Sequence, residues 1–194
     1  MTMRRDQCLR ALARYVKDDD IVVSVFTTAF EWIAIRPSPL NYIMVGAMGL
    51  GSSHALGLAL GRPDKRVILF DGDGSLLMNL GSLVTVASAA PKNLIYFVFE
   101  NGTYEANGSH PIPGRDKVDF CGLAKSAGYR AAYVFDDLVA FEGSLGQILD
   151  QPGPLFATLK VAPGEPPNFD YGHMHSAEVR RQFKQALMAD APGK

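Results

Sequence analysis

The stretch Val67-Ile68-Leu69-Phe70-Asp71-Gly72-Asp73-Gly74-Ser75-Leu76-Leu77-Met78 decides the fold. An apolar, partly β-branched run gives way to a Gly-Asp-Gly turn and then to an apolar stretch of helical length, so it reads as strand, turn, helix. Glycines in such a turn let the backbone approach a bound group closely. The helix start offers N–H groups and a positive dipole end to a phosphate. A carboxylate between the glycines repels that phosphate unless a cation lies between the two. Mg2+ meets this need, because it takes one or two protein oxygens together with phosphate oxygens. Asp73 is then a metal ligand. An isolated Gly-Asp-Gly is just as often an ordinary turn, so a second ligand carries the decision.

That ligand is expected beyond the end of a neighbouring strand, where open α/β sheets bind their ligands. Asn101 follows the run Leu94 to Phe99 and stands in that place. Further strands are expected at Ile21 to Val25, Tyr42 to Val45, Ala131 to Phe135 and Leu155 to Val161, which makes six with the two already named. Helices are expected over residues 6 to 16, with Asp6 as the cap, and over Gly51 to Leu60, Ser75 to Ala89, Val118 to Ala127 and Leu138 to Leu149. The alternation implies a doubly wound, mainly parallel six-stranded sheet with helices on both faces. Residues 75 to 89 carry apolar side chains on nearly every side, as in a helix buried against another layer or subunit. Pro163, Gly164, Pro166 and Pro167 mark a linker, and a last helix capped by Ser176 carries Val179, Phe183 and Leu187.

With 194 residues and 47% hydrophobic content, one domain is expected, with residues 162–194 as its C-terminal linker and helix. A net charge of -1 without a basic block argues against nucleic acid. The two cysteines, Cys8 and Cys121, form neither a disulfide framework nor a zinc motif, and no apolar run has membrane length. A soluble, cytoplasmic protein with no membrane partner is the expectation.

Gly72-Asp73-Gly74, then 26 residues, then Asn101-Gly102-Thr103-Tyr104 resembles the binding motif of thiamine diphosphate (ThDP) enzymes. The resemblance implies that Asp73, Asn101 and the Thr103 carbonyl hold Mg2+, with Gly72, Gly74, Ser75 and Tyr104 near the cofactor. The loop Val45-Gly46-Ala47-Met48-Gly49-Leu50-Gly51 is similar to the segment of these enzymes in which a bulky residue bends the cofactor into a V. Met48 would be that wedge, with the Gly46 carbonyl and the Met48 N–H on the aminopyrimidine and Ala47 beside them. By itself Met48 is as readily a core filler. Thr27 and Thr28 either donate to the diphosphate or cap the next helix, and Ser75 either bonds the diphosphate or satisfies its own backbone.

The motif run is most similar to sulfopyruvate decarboxylase β subunits and to the C-terminal half of phosphonopyruvate decarboxylase. The resemblance implies non-oxidative decarboxylation of a small anionic 2-oxo acid. The activating glutamate would come from a separate pyrimidine-domain α subunit, since none of Glu31, Glu100, Glu105 or Glu142 sits in a matching context. A second anionic group on the substrate calls for cations, for which His110, Arg115 and Lys117 are candidates, His110 also for a catalytic part. Scattered charges on a solvated loop are the plainer reading of each, and His54 reads as a packing residue. Glu105 to Pro111 departs from the family's Gly-, Ser-, Thr- and Gln-rich segment, which leaves the substrate open. The alternatives are an acetolactate-synthase-like carboligase subunit, a non-catalytic ThDP-binding or partner protein, and a flavodoxin-like nucleotide module.

Overall fold

The computed structural model describes residues 2–165, 170–174 and 176–189. Its centre is a six-stranded, wholly parallel sheet in the order β2-β1-β3-β4-β8-β7. The strands are β1 (Ile21–Val25), β2 (Asn41–Met44), β3 (Val67–Gly72), β4 (Leu94–Glu100), β7 (Ala131–Phe135) and β8 (Leu155–Lys160). Every residue of Val67–Asp71 and of Leu94–Phe99 is buried, as both faces of a covered parallel sheet require.

Alternate side chains serve two cores. Val23, Leu69, Tyr96, Val98 and Phe156 pack beneath α3 (Gly51–Gly61), α5 (Ser82–Ala89) and α6 (Phe120–Ala127). Val22, Ile68, Phe70, Phe97 and Phe99 face α1 (Arg5–Ala13), α2 (Thr27–Ile35) and α7 (Leu138–Leu149). Trp32 of α2 lies edge-on to Phe70 with ring centroids 4.9 Å apart, and its Nε1 donates to Asn41 Oδ1 at 2.9 Å. The last helix, α9 (Ala177–Ala189), sends Phe183 against Tyr42 beside edge strand β2.

Several expectations need correction. The helix expected over residues 75 to 89 is two: α4 (Asp73–Met78) ends at Asn79, whose side chain leaves the helix to donate to Gly49 O at 3.0 Å, and α5 starts at Ser82. Nor is it buried on nearly every side. Leu76, Leu83 and Val86 are buried, whereas Met78 is 52% and Val84 60% exposed. Asp6 is not the cap of α1; it lies in the first turn, paired with Arg4. The fourth expected helix starts at Phe120 rather than Val118, because Asp119 caps it by accepting from Gly122 N at 2.8 Å. Thr27–Ile35 is a helix that the apolar pattern did not announce. Two short strands, β5 (Thr103–Tyr104) and β6 (His110–Pro111), form a hairpin after β4, and α8 (Tyr171–Met174) precedes the last helix. Pro166 and Pro167 lie outside the described residues.

Phe70 touches Trp32, Phe97 and Phe99 in the centre of one core. Phe70→Ala is expected to lower the unfolding free energy by about 3–5 kcal/mol, read as a shifted urea midpoint at unchanged slope.

Candidate active site

The chain leaves β1 toward one face of the sheet, through α2, and leaves β3 toward the other, through α4. Adjacent strands whose connections diverge open a crevice at their carboxyl ends. The crevice here is a narrow cleft lined by residues of α2, α4, the Gly46–Gly49 loop and the β4–β5 turn.

Asp73 forms its floor. The carboxylate is 1% exposed, and Oδ1 accepts from Gly74 N at 2.7 Å. Oδ2 accepts from Asn101 N at 3.0 Å and Gly102 N at 2.7 Å, so one side chain joins the ends of β3 and β4. Burial pushes its pKa up to about 6, against the opposing pull of those three N–H groups. Asn101 Oδ1 accepts from Thr103 N at 2.8 Å and Thr103 Oγ1 at 3.2 Å. Asp73, Asn101 and Thr103 thus meet at one place. Among the described residues no three His, Cys, Asp or Glu side chains cluster to hold a metal. One carboxylate, an amide oxygen and a backbone carbonyl make a hard, oxygen-only donor set of the kind that suits Mg2+ beside a phosphate.

The walls fit a diphosphate. Gly74 lies under the Tyr104 ring, where a Cβ would come 2.5 Å from two ring carbons, so only glycine fits. At Gly72 and Gly46 a Cβ would meet nothing within 4 Å, which leaves open space at both backbones. Phe26, at the end of β1, has φ 47°, a left-handed conformation that costs a non-glycine residue on the order of 1–3 kcal/mol. It starts α2 without a side-chain cap. Thr27 and Thr28 therefore do not cap the helix; they are buried in its first turn and line the cleft, where the first N–H groups lack intrahelical acceptors. The Ser75 hydroxyl accepts from Gly49 N at 3.1 Å and favours the charged form of nearby Asp71. Met48 is half-buried and lines the cleft; Gly46 is exposed and Ala47 half-buried beside it.

Other candidates stand elsewhere. His110 is exposed on β6, and it is not among the residues that line the cleft. Arg115 and Lys117 line an adjoining groove that shares Asn101, and Arg115 lies over Gly102, where a Cβ would be 2.9 Å from its Nε. His54 is a packing residue, with Nδ1 2.9 Å from Leu50 O and its ring stacked on Tyr42. Glu31 and Glu105 are occupied by Arg5, at 2.7 and 2.5 Å.

Two features escaped the sequence. Arg5 is a buried cation on the cleft wall between two carboxylates that lie 26 and 100 residues away in the chain. Asp71 is a second buried carboxyl, pushed up to about 6 by burial, which takes bonds from Tyr96 OH at 2.8 Å and Gly72 N at 2.9 Å. The doubled acid in Asp71-Gly72-Asp73 was the signal available for it.

Comparison with known proteins agrees with this geometry. Residues 23–158 match the C-terminal TPP-binding domain of thiamine pyrophosphate enzymes. The chain is 37% identical over 164 residues to sulfopyruvate decarboxylase subunit beta of Methanothermobacter thermautotrophicus, covering 84% of this chain and 85% of that one. It is 34% identical over 184 residues to phosphonopyruvate decarboxylase of Streptomyces viridochromogenes, covering 95% of this chain but 46% of the relative. Benzoylformate decarboxylase from Polynucleobacter necessarius shares the fold with a TM-score of 0.73 at 19% identity, over 86% of this chain and 34% of that structure. The crevice at the β1–β3 divergence, with the matched domain built around it, identifies the chain as a member of the thiamine pyrophosphate enzymes, carrying their C-terminal TPP-binding domain.

Proposed function

We propose that the chain is the diphosphate-binding subunit of a ThDP- and Mg2+-dependent decarboxylase that acts on a small 2-oxo acid bearing a second anionic group, of the sulfopyruvate or phosphonopyruvate kind. The observation that carries this reading is the buried Asp73 at the cleft floor, joined to Asn101 and Thr103 in a chain so similar to a sulfopyruvate decarboxylase β subunit. In this reading residues 1–194 are one diphosphate-binding domain, with 162–194 its linker and terminal helix, working in the cytoplasm. Two free, buried thiols fit a reducing compartment. Among the described residues no helix is long and apolar enough to cross a membrane.

When bound, ThDP supplies the electron sink for loss of CO2. The chain's own residues bind and orient. Asp73, Asn101 Oδ1 and the Thr103 carbonyl hold Mg2+. The open backbone at Gly72, the Gly74–Ser75 start of α4 under the Tyr104 ring, and the first turn of α2 at Thr27 and Thr28 would receive the diphosphate. Gly46, Ala47 and Met48 would orient the pyrimidine, with Met48 as the bulky apolar support on the cleft wall. Arg115, Lys117 and His110 are the cations offered to the second anionic group of the substrate. Arg115 has the most support, because it lies against the Gly102 peptide beside Asn101.

The activating glutamate comes from a separate pyrimidine-domain subunit in a hetero-oligomer. Glu31 and Glu105 are committed to Arg5, which fits a glutamate supplied in trans. Exposed Leu50, Leu60, Met78 and Val84, on or beside α3, α4 and α5, offer an apolar surface for such a partner.

Calorimetry of ThDP with Mg2+ is expected to give binding that Asp73→Ala weakens by about a hundredfold or more. Added to a pyrimidine-domain partner, the wild type is expected to release CO2 from sulfopyruvate or phosphonopyruvate. No Mg2+-dependent binding by the wild type, with or without partner, overturns the reading. Because Mg2+ takes the Asp73 anion and burial lifts its pKa to about 6, protons compete below that pH. Affinity is expected to hold above about pH 7 and to fall by about tenfold per unit below about pH 6. Titrations between pH 5 and 8 check this, and a flat profile means that Asp73 ionises below that range.

A further inference from the structure

The Gly46–Gly49 loop meets the cleft along one side, where Gly46 has no neighbour within Cβ reach. Its hold on the protein lies behind it. Two hydrogen bonds tie it to the α4 region, and both end on Gly49: Gly49 N donates to Ser75 Oγ at 3.1 Å, and Asn79 Nδ2 donates to Gly49 O at 3.0 Å. Gly49 has φ 84°, and a Cβ there would come 3.1 Å from Met78 Cβ and 3.3 Å from Asn79 Cβ, so the loop lies directly against the end of α4.

Each anchor is itself held or specially placed. Ser75 accepts from Gly49, and beside it the buried Asp71 takes the Tyr96 hydroxyl. Tyr96, Asp71 and Ser75 are all buried, so this anchor of the loop lies in the core and not in solvent. Asn79 stands at the break between α4 and α5, where the helix stops and the side chain turns away to Gly49. The break falls in Asn79-Leu80-Gly81, where two weak helix formers end one apolar helix before the next begins. Its return is a donor aimed at a single carbonyl one residue past Met48.

We propose that Asn79, with Ser75 behind it, is a positioning residue that fixes the Gly46–Gly49 loop, and hence Met48, before any ligand arrives. A loop so preset spares the ordering cost that binding otherwise carries. The inference rests on the reading that Met48 and Gly46 meet the heterocyclic part of ThDP while Asp73 and Asn101 serve the diphosphate end. That division of labour supplies the test, because inorganic pyrophosphate with Mg2+ needs only the second set.

The experiment is calorimetry of the chain with Mg2+-pyrophosphate and with Mg2+-ThDP, in wild type, Asn79→Ala and Asn79→Asp. Hydrogen–deuterium exchange of the peptide covering residues 45 to 50 is followed in the ligand-free proteins. Pyrophosphate is expected to bind all three alike. ThDP is expected to bind both variants about tenfold more weakly, the worth of one lost, partly buried hydrogen bond. Exchange in the loop is expected to rise in both. Asn79→Asp is the sharper arm: it keeps the shape and the helix-ending character of asparagine but faces Gly49 O with an acceptor. If Asn79 only ends the helix, Asp binds ThDP as the wild type does, and the proposal is overturned. Equal losses for pyrophosphate and ThDP point to general damage and also overturn it. A wild type that binds neither ligand overturns the cofactor reading itself, and this proposal with it.

Discussion

One carboxylate holds the site together. Asp73 sits where β3 becomes α4, and its oxygens take the N–H groups of Gly74, Asn101 and Gly102, so the ends of two central strands close on a single side chain. The burial that fixes these bonds also makes the anion costly, because a desolvated carboxyl resists ionisation until something positive approaches. The arrangement is therefore incomplete by design in the electrostatic sense. Three dipoles orient Asp73 without neutralising it, and Asn101 and Thr103 are brought in beside it by the same contacts. Asp71, two residues earlier, shows the opposite solution: a buried carboxyl enclosed by Tyr96, Ser75 and the Gly72 N–H.

Much of this was legible in the residues, for physical reasons that can be named. The fully buried strands read as continuous apolar runs, and all six lie where the apolar runs place them. The Asp73–Asn101 pairing is readable because parallel neighbours β3 and β4 carry their functional residues at the same, carboxyl end, with Gly72 opposite Phe99. What escaped reading depends on distance or on a single side chain. Thr27–Ile35 is apolar apart from its two threonines and Glu31, so periodicity separates a buried helix from a strand poorly there. The break has a local signal, because Asn79 and Gly81 are poor helix formers, but the bond from Asn79 to a loop 30 residues away is not readable locally. Arg5, Glu31 and Glu105 look in the sequence like solvated charges and become a buried cluster only when α1, α2 and the β4–β5 turn meet.

Apolar exposure tells a related story at larger scale. A helix pattern can say that a side chain is apolar, not what will cover it. Val84 and Met78 belong to the same run as Leu83 and Leu76, yet one pair faces solvent and the other lies in the core. Three residues, Asn79 to Gly81, part α4 from α5, and within each helix neighbouring residues turn to different faces, so Leu76 and Leu83 reach the core while Met78 and Val84 do not.

The Arg5 cluster also bears on how the molecule assembles. Its guanidinium joins α1 to Glu31 in α2 and to Glu105 after the hairpin strand β5, and Glu105 accepts from Gly164 N at 2.8 Å. None of these partners is local; the links span 26, 100 and 59 residues. Each charge left unpaired in that setting is strongly unfavourable, so a partly assembled chain gains little from forming the cleft wall early. The wall of the cleft therefore closes only where α1, α2, the segment after β5 and the chain after β8 have all come together.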